Sequence, residues 1–223
     1  EIKFMRESFN IQDSDFLCVY IGRIAKEKSI DVLIDMFSKI TDETYKFMIV
    51  GRGPVIEDLK EQAEKLGIND RVIFTGEVPH DKVYYQMGDV FLNASISETQ
   101  GLTFVEAMAA KTPVNARYDL NLEDLLVKNE AGLVYKDEEE FINNIKLLKE
   151  NKEFREKIIE NAYNVSQDFT AEKFGDRVEA VYKKTIEEYD SRESFTIFRG
   201  EKFLQQIRRW TSLKSSGRSP WSK

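Results

Sequence analysis

Phe16-Leu17-Cys18-Val19-Tyr20-Ile21-Gly22-Arg23-Ile24-Ala25-Lys26-Glu27-Lys28-Ser29 is the stretch on which the reading of this chain turns. Its first six residues are uniformly apolar and stop at a glycine. A strand with one wet face alternates apolar and polar residues. An unbroken apolar run of this length is expected where both faces are covered, as in a parallel sheet. Behind the charged turn, Ile30, Leu33, Phe37 and Ile40 recur at helical spacing and predict a helix with one buried face.

The same unit repeats along the chain. Phe47 to Val50 predicts a strand that ends at Gly51-Arg52-Gly53-Pro54, followed by a helix from about Val55 to Leu66 that stops before Gly67, a C-terminal cap. Further strands are expected at Val72 to Phe74, Val90 to Leu92, Val114 to Ala116 and Leu133-Val134. Helices are expected at Asp81 to Met87 and Leu102 to Ala110. This alternation predicts an α/β fold with a doubly wound, Rossmann-like parallel sheet and right-handed crossovers. Beyond residue 137 the chain turns polar and helical, with helices at Glu138 to Glu150, Glu153 to Val165 and Thr170 to Tyr189. The last has Phe174, Val178, Val181 and Tyr182 on its apolar face. Ser191 to Ser194 reads as a linker. The expected organisation is one domain over 1–190, carrying its extra helices at the C-terminal end, and a basic amphipathic tail over 191–223. Glu1 to Asn10 shows no initiator Met and no core element, and a preceding N-terminal domain is expected.

A chain of 223 residues with 41% hydrophobic composition is globular and supports one well-buried α/β domain. Its single cysteine, Cys18, lies in the apolar run and reads as a core residue rather than a reactive thiol. A reducing, cytoplasmic setting fits that usage. No run of about 18 apolar residues is present to span a membrane as a helix. The net charge of −7 is unevenly spread: Arg199 to Lys223 carries +6, and the preceding 198 residues carry −13. An acidic body argues against a nucleic-acid-binding domain, whose basic footprint would lie on the fold itself.

In open α/β sheets, ligands bind beyond the carboxyl ends of the strands. Three segments fall there. Gly22-Arg23, followed by Glu27-Lys28, offers a tight turn, two cations and a helix start, which together suit a diphosphate; it reads equally as a solvated charged loop. Gly51-Arg52-Gly53-Pro54 resembles a phosphate-cradling turn and reads also as an ordinary strand-to-helix turn. Ser97-Glu98-Thr99-Gln100-Gly101-Leu102-Thr103-Phe104-Val105-Glu106-Ala107-Met108 places one glutamate in the loop before a helix and another one turn inside it, with backbone donors at Gly101 and Leu102 between them. Carboxylates on both sides of such a turn can accept hydrogen bonds from two sets of sugar hydroxyls. The apolar flank behind Glu106 favours a functional carboxylate over a surface charge.

These segments, with Phe74-Thr75-Gly76 and Pro113-Val114, resemble the C-terminal domain of GT-B retaining glycosyltransferases, over about Phe16 to Asp168. The variant Ser97 to Leu102, with Arg117-Tyr118-Asp119-Leu120-Asn121-Leu122 downstream, is similar to bacterial 1,2-diacylglycerol 3-glucosyltransferases. The resemblance implies that Arg23 and Lys28 grip the donor diphosphate and stabilise the leaving group, that Glu98 holds donor-sugar hydroxyls, and that Glu106 binds ribose. It further implies that Gly22, Gly51 and Gly53 line the donor site, that backbone at Gly101, Leu102 and Thr103 meets sugar or phosphate, and that Gly76 to Val78 contacts the base. A UDP-hexose is the expected substrate, and neither cofactor nor metal is expected, because the basic pair takes the metal's place. Two departures stand out. Lys111 replaces a common glycine, and Asp119 to Leu122 replaces a common Gly-Gly turn. The lone histidine, His80, reads as a cap or surface residue.

In the tail, Phe203, Leu204, Ile207, Trp210 and Leu213 fall on one helical face, and Lys202, Arg208 and Arg209 fall mostly on the other. Residues 195–214 are therefore expected to meet an anionic membrane surface; a helix docked on the N-terminal domain is the alternative. The expected function is donor-half hexosyl transfer, with retention, from UDP-glucose to a glycerolipid at the inner face of a cell membrane. A wall-polymer or protein acceptor, or a nucleotide-binding scaffold subunit, are the alternatives.

Overall fold

A computed structural model describes residues 1–79, 82–95 and 101–189 of the chain. Ser97 to Gln100, with Glu98 among them, and His80 and the tail segment 195–214 lie outside these described residues. Six parallel strands form one sheet in the order β3-β2-β1-β4-β5-β6. They are β1 (Phe16–Ile21), β2 (Tyr45–Val50), β3 (Val72–Gly76), β4 (Val90–Asn93), β5 (Val114–Arg117) and β6 (Leu133–Tyr135). The apolar run of β1 is covered on both faces as expected. Phe16, Cys18 and Tyr20 enter one core, and Leu17, Val19 and Ile21 enter the other. In β2, Phe47 and Ile49 join the first core, and Met48 and Val50 the second. A parallel strand alternates its side chains between faces, so each face needs its own helices.

Helices α2 (Ile30–Ser38), α3 (Ile56–Lys65) and α6 (Glu138–Glu150) supply the first core, and α4 (Lys82–Met87) and α5 (Leu102–Ala109) supply the second. Helix α7 (Lys152–Ser166) serves both, through Ile158 and Ala162. The doubly wound, Rossmann-like architecture is thus present with helices on both faces. Asp137 caps the start of α6 by accepting from the Glu140 amide at 2.9 Å, and Asn151 caps the start of α7 by accepting from the Phe154 amide at 3.0 Å.

The amino-terminal segment differs from expectation. Ile2–Ser8 forms a helix, α1; its Met5, with Phe9 and Ile11 that follow it, packs with the second core. Arg6 ties it down: its guanidinium donates to the carbonyls of Met87 at 2.7 Å and Asp15 at 2.7 Å, and to the Asp89 carboxylate at 3.2 Å. Asp89 in turn accepts from the Leu17 amide at 2.8 Å. Within the helix only Met5 packs against the core beside the Arg6 anchor, so no periodic apolar pattern marks it.

The chain divides into two compact units, Glu1–Phe169 and Thr170–Lys223. Within the second, a helix α8 covers 171–189 and carries a Lys183–Glu179 ion pair at 2.7 Å. Phe174, Val181 and Tyr182, expected on its apolar face, are exposed. No helix among the described residues is long and apolar enough to cross a membrane.

Candidate functional site

The sheet order reverses between β1 and β4: β2 and β3 extend one way from β1, and β5 and β6 extend the other way from β4. The crevice at the carboxyl ends of two such strands is where doubly wound folds bind ligands. Gly22-Arg23 follows β1 directly, and the N-terminus of α5 follows β4 and its loop. The topology therefore brings two of the three candidate segments to one place.

The first wall is made by the turns after β1, β2 and β3, which continue the ladder beyond the strands. The Gly22 amide donates to the Val50 carbonyl at 3.0 Å, Ile24 to Arg52 at 2.9 Å, and Gly51 to Gly76 at 2.9 Å. At this spacing the β2 turn has no room for a side chain at positions 51 and 53. A Cβ on Gly51 would stand 1.9 Å from the Gly22 carbonyl oxygen, and one on Gly53 would stand 1.7 Å from that of Ile24. Both glycines thus have a packing reason in the apposition of the two turns.

A cleft of about 340 Å³ opens above them. Its floor is the ends of the strands, Ile21, Val50 and Val78 with Gly22 and Gly51, and its rim is Arg23, Arg52 and Glu77. Of the residues expected at the site, Gly22, Arg23, Gly51 and Val78 line this cleft; Gly53 lies behind it, under Ile24. Arg23 is exposed and paired with Glu27, and Arg52 pairs with Glu77 at 3.0 Å. Tyr20 steadies the turn by donating its hydroxyl to the Arg23 carbonyl at 2.9 Å. Lys28 ends a 3-10 turn, Lys26–Lys28, and is half-buried at the start of α2. The arrangement surrounds a shallow apolar floor with guanidinium groups, which suits a planar base or sugar carrying an anion.

The second wall is α5. Gly101 begins it in a left-handed conformation, φ 62°, which glycine adopts without strain. Leu102 is exposed at the helix start, and the first-turn amides of a helix lack partners within it. The hydroxyls of Ser95, just after β4, and of Thr103, in the first turn of α5, are buried and have no hydrogen-bond partner among the described residues. The end of β4 is braced from below. Tyr135 donates its hydroxyl to the Asn93 carbonyl at 3.0 Å, and burial drives its pKa upward. Asn93 accepts from the Ser95 amide at 2.8 Å.

Glu106 stands one turn into α5. Phe104, Val105, Ala107 and Met108 are buried, so the flank is packed as expected and the carboxylate is on the open side. Its Oε2 accepts from the Tyr85 hydroxyl at 3.0 Å. A hollow of about 300 Å³ lies here, lined by Lys82, Tyr85, Glu106, Ala109 and Ala110. Glu106 and Arg23 therefore face different recesses. Tyr85 and Lys82 were not found from sequence: Val83-Tyr84-Tyr85 in a short helix reads simply as core.

Both departures noted in the sequence have a geometric content. The Thr112 amide donates to the Ala107 carbonyl at 2.9 Å and the Lys111 amide to Met108 at 3.1 Å, a Schellman closure of α5. Lys111 occupies its left-handed position, φ 64°, where glycine is favoured. The Lys111 ammonium lies over the Tyr163 ring, 4.9 Å from its centre. Downstream, Asp119 accepts from the Asn121 amide at 2.8 Å and caps a 3-10 turn, Leu120–Leu122, which leads into a π-helical turn, Glu123–Val127. That turn packs against the start of α5, where a Cβ on Gly101 would stand 4.0 Å from Leu125.

Residues 1–165 match the model of one protein family, the glycosyl transferases of group 1. The chain is 36% identical over 191 residues to an alpha-monoglucosyldiacylglycerol synthase of Streptococcus pneumoniae, covering 83% of this chain and 42% of that protein. It is 30% identical over 191 residues to the alpha-monoglucosyldiacylglycerol synthase of Acholeplasma laidlawii, covering 84% and 48%. The chain thus spans less than half the length of these relatives. Among solved structures, Anabaena HepE in complex with UDP superposes with a TM-score of 0.76 at 21% identity, over 82% of this chain and 52% of that one. The C-terminal domain of a group 1 glycosyl transferase from Francisella tularensis superposes with a TM-score of 0.64 at 21% identity, over 75% and 91%. Identities this low show the fold alone.

Proposed function

This chain belongs to the glycosyl transferases of group 1 and carries a Rossmann-like GT-B fold, and on that ground we propose that it is the donor-binding half of a hexosyltransferase. The donor is UDP-glucose, the acceptor a membrane glycerolipid, and transfer proceeds with retention. The observation that carries this reading is the cleft beyond the carboxyl ends of β1, β2 and β3, beside the switch point between β1 and β4, where an apolar floor of strand ends meets Arg23 and Arg52. The relatives' names, both glucosyldiacylglycerol synthases, support the choice of sugar and acceptor.

On this reading the base packs against Gly76 to Val78, and Glu106 accepts the ribose hydroxyls. Amides at the start of α5 and the side chain of Glu98 hold the sugar and phosphate. When the bond from the anomeric carbon to the diphosphate breaks, negative charge grows on the leaving oxygen. Arg23 and Lys28 meet that charge with fixed cations, an electrostatic contribution that commonly dominates such chemistry, and no metal is assigned. Arg23 exchanges its partner Glu27 for the diphosphate on binding. The acceptor is bound by an N-terminal domain, and residues 195–214 bring the protein to an anionic membrane on its cytoplasmic face.

The test is transfer of labelled glucose from UDP-glucose to diacylglycerol in anionic vesicles. The whole protein is expected to form a glucosyl lipid, and this chain alone to bind donor with little or no transfer. Robust transfer by this chain alone, or glucosylation of a soluble acceptor in place of the lipid, would contradict the assignment.

A further inference from the structure

We infer that Tyr85 is a positioning residue that holds the Glu106 carboxylate in place for the ribose hydroxyls of the donor, an inference that rests on the proposed role of Glu106. Glu106 is exposed, and an exposed glutamate on a helix moves among several side-chain conformations. Tyr85 is its opposite. It is 2% exposed, and each of its three parts is fixed. Its backbone carbonyl accepts from the Thr112 hydroxyl at 2.6 Å. Its ring lies 5.5 Å from that of Phe91 on β4, and Phe91 meets Phe104 of α5 edge-on at 6.1 Å. Its hydroxyl donates to Glu106 Oε2 at 3.0 Å.

A phenol anchored in this way selects one orientation of the carboxylate. A hydrogen bond from a buried donor to a charged acceptor is among the stronger ones available to a side chain. The tyrosine is held independently of that bond, by the ring contact with Phe91 and by the Thr112 hydroxyl on its carbonyl. It acts on an exposed side chain of α5 rather than on its buried face. Glu106 is thereby ordered before the donor arrives, and ribose binding need not order it.

The discriminating quantity is the preference for UDP over 2′,3′-dideoxy-UDP, which reads the hydroxyls that Glu106 would accept. Tyr85→Phe keeps the ring in its aromatic packing and removes only the hydroxyl. Calorimetric titration of the chain should show wild type favouring UDP, and that preference narrowing roughly threefold to tenfold in Tyr85→Phe, within the range expected for part of a charge-assisted hydrogen bond. Thr112→Val, which frees the tyrosine's backbone while leaving its hydroxyl, should narrow the ratio in the same direction and by less. A merely structural role for Tyr85 would weaken both ligands alike and leave the ratio unchanged. If wild type discriminates and both variants keep its full preference, the inference is overturned while the role of Glu106 stands. If wild type binds both ligands equally, the role of Glu106 falls, and this inference falls with it.

Discussion

The amide of Ile24 donates to the carbonyl of Arg52 at 2.9 Å, which locks the turn after β1 to the turn after β2. The donor cleft is lined by both turns, so its shape depends on that apposition. Gly53 permits it, because a Cβ there would stand 1.7 Å from the Ile24 oxygen, which is backbone and cannot swing aside. Gly53→Ala is expected to destabilise the chain by about 3 kcal/mol, the upper end for overpacking, with a matching fall in the urea midpoint. An unchanged midpoint would show that the turns separate freely.

Lys111 holds a left-handed position at the end of α5. A non-glycine residue there costs roughly 1 kcal/mol relative to glycine. Lys111→Ala keeps that strain and also loses the contact with Tyr163, whereas Lys111→Gly relieves the strain. The glycine variant is expected to be the more stable of the two by about 1 kcal/mol in thermal or urea unfolding. The reverse order would contradict the assigned geometry.

Cys18 is fully buried in β1, and burial, aided by the nearby Asp89 carboxylate, pushes its thiol pKa well up. The thiolate is the reactive form. The folded chain should therefore resist alkylation at neutral pH and react promptly once denatured. Rapid labelling of the native chain would place the thiol outside the core.

Asp42 is held low by its hydrogen bonds from the Thr44 hydroxyl and amide and by the Lys149 ammonium, with a pKa lowered from 3.8 to about 2. The folded value is depressed, so the ionised carboxylate favours the fold above the unfolded pKa, and that contribution disappears as pH falls through about 2. An NMR titration of Asp42 should show a midpoint near 2, and the stability gap between wild type and Asp42→Ala should close as pH drops from 4 toward 2. A midpoint at the ordinary carboxylate value would mean the Thr44 cap does not form in solution.

The parallel sheet could be read from sequence because burial on both faces leaves a direct trace: the unbroken run Phe16 to Ile21 has no other economical explanation. Glu138 to Glu150 was also expected as a helix, and the structure shows why it forms there: Asp137 caps it, and Phe141, Ile145 and Leu148 make its buried face. Helix α1 was not, because Arg6 anchors it through three-dimensional contacts that a hydrophobic pattern does not record. The site divides in the same way. Gly22, Arg23 and Glu106 were marked by strand ends and helix starts. Tyr85 was not, because a core tyrosine and a tyrosine that aims its hydroxyl at a carboxylate look the same in sequence. Lys111 was recognised as a departure, but only the Schellman closure explains why glycine would suit the position.

The central claim is that this chain forms a nucleotide-sugar donor site, and calorimetric titration with UDP, UDP-glucose and GDP, repeated with Glu106→Ala, tests it most directly. Both uridine ligands are expected to bind, GDP more weakly, and Glu106→Ala to lose about tenfold or more in affinity, as expected for removing hydrogen bonds to a charged group. Uridine ligands bound equally well with and without Glu106, or not bound at all by the folded chain, would contradict it.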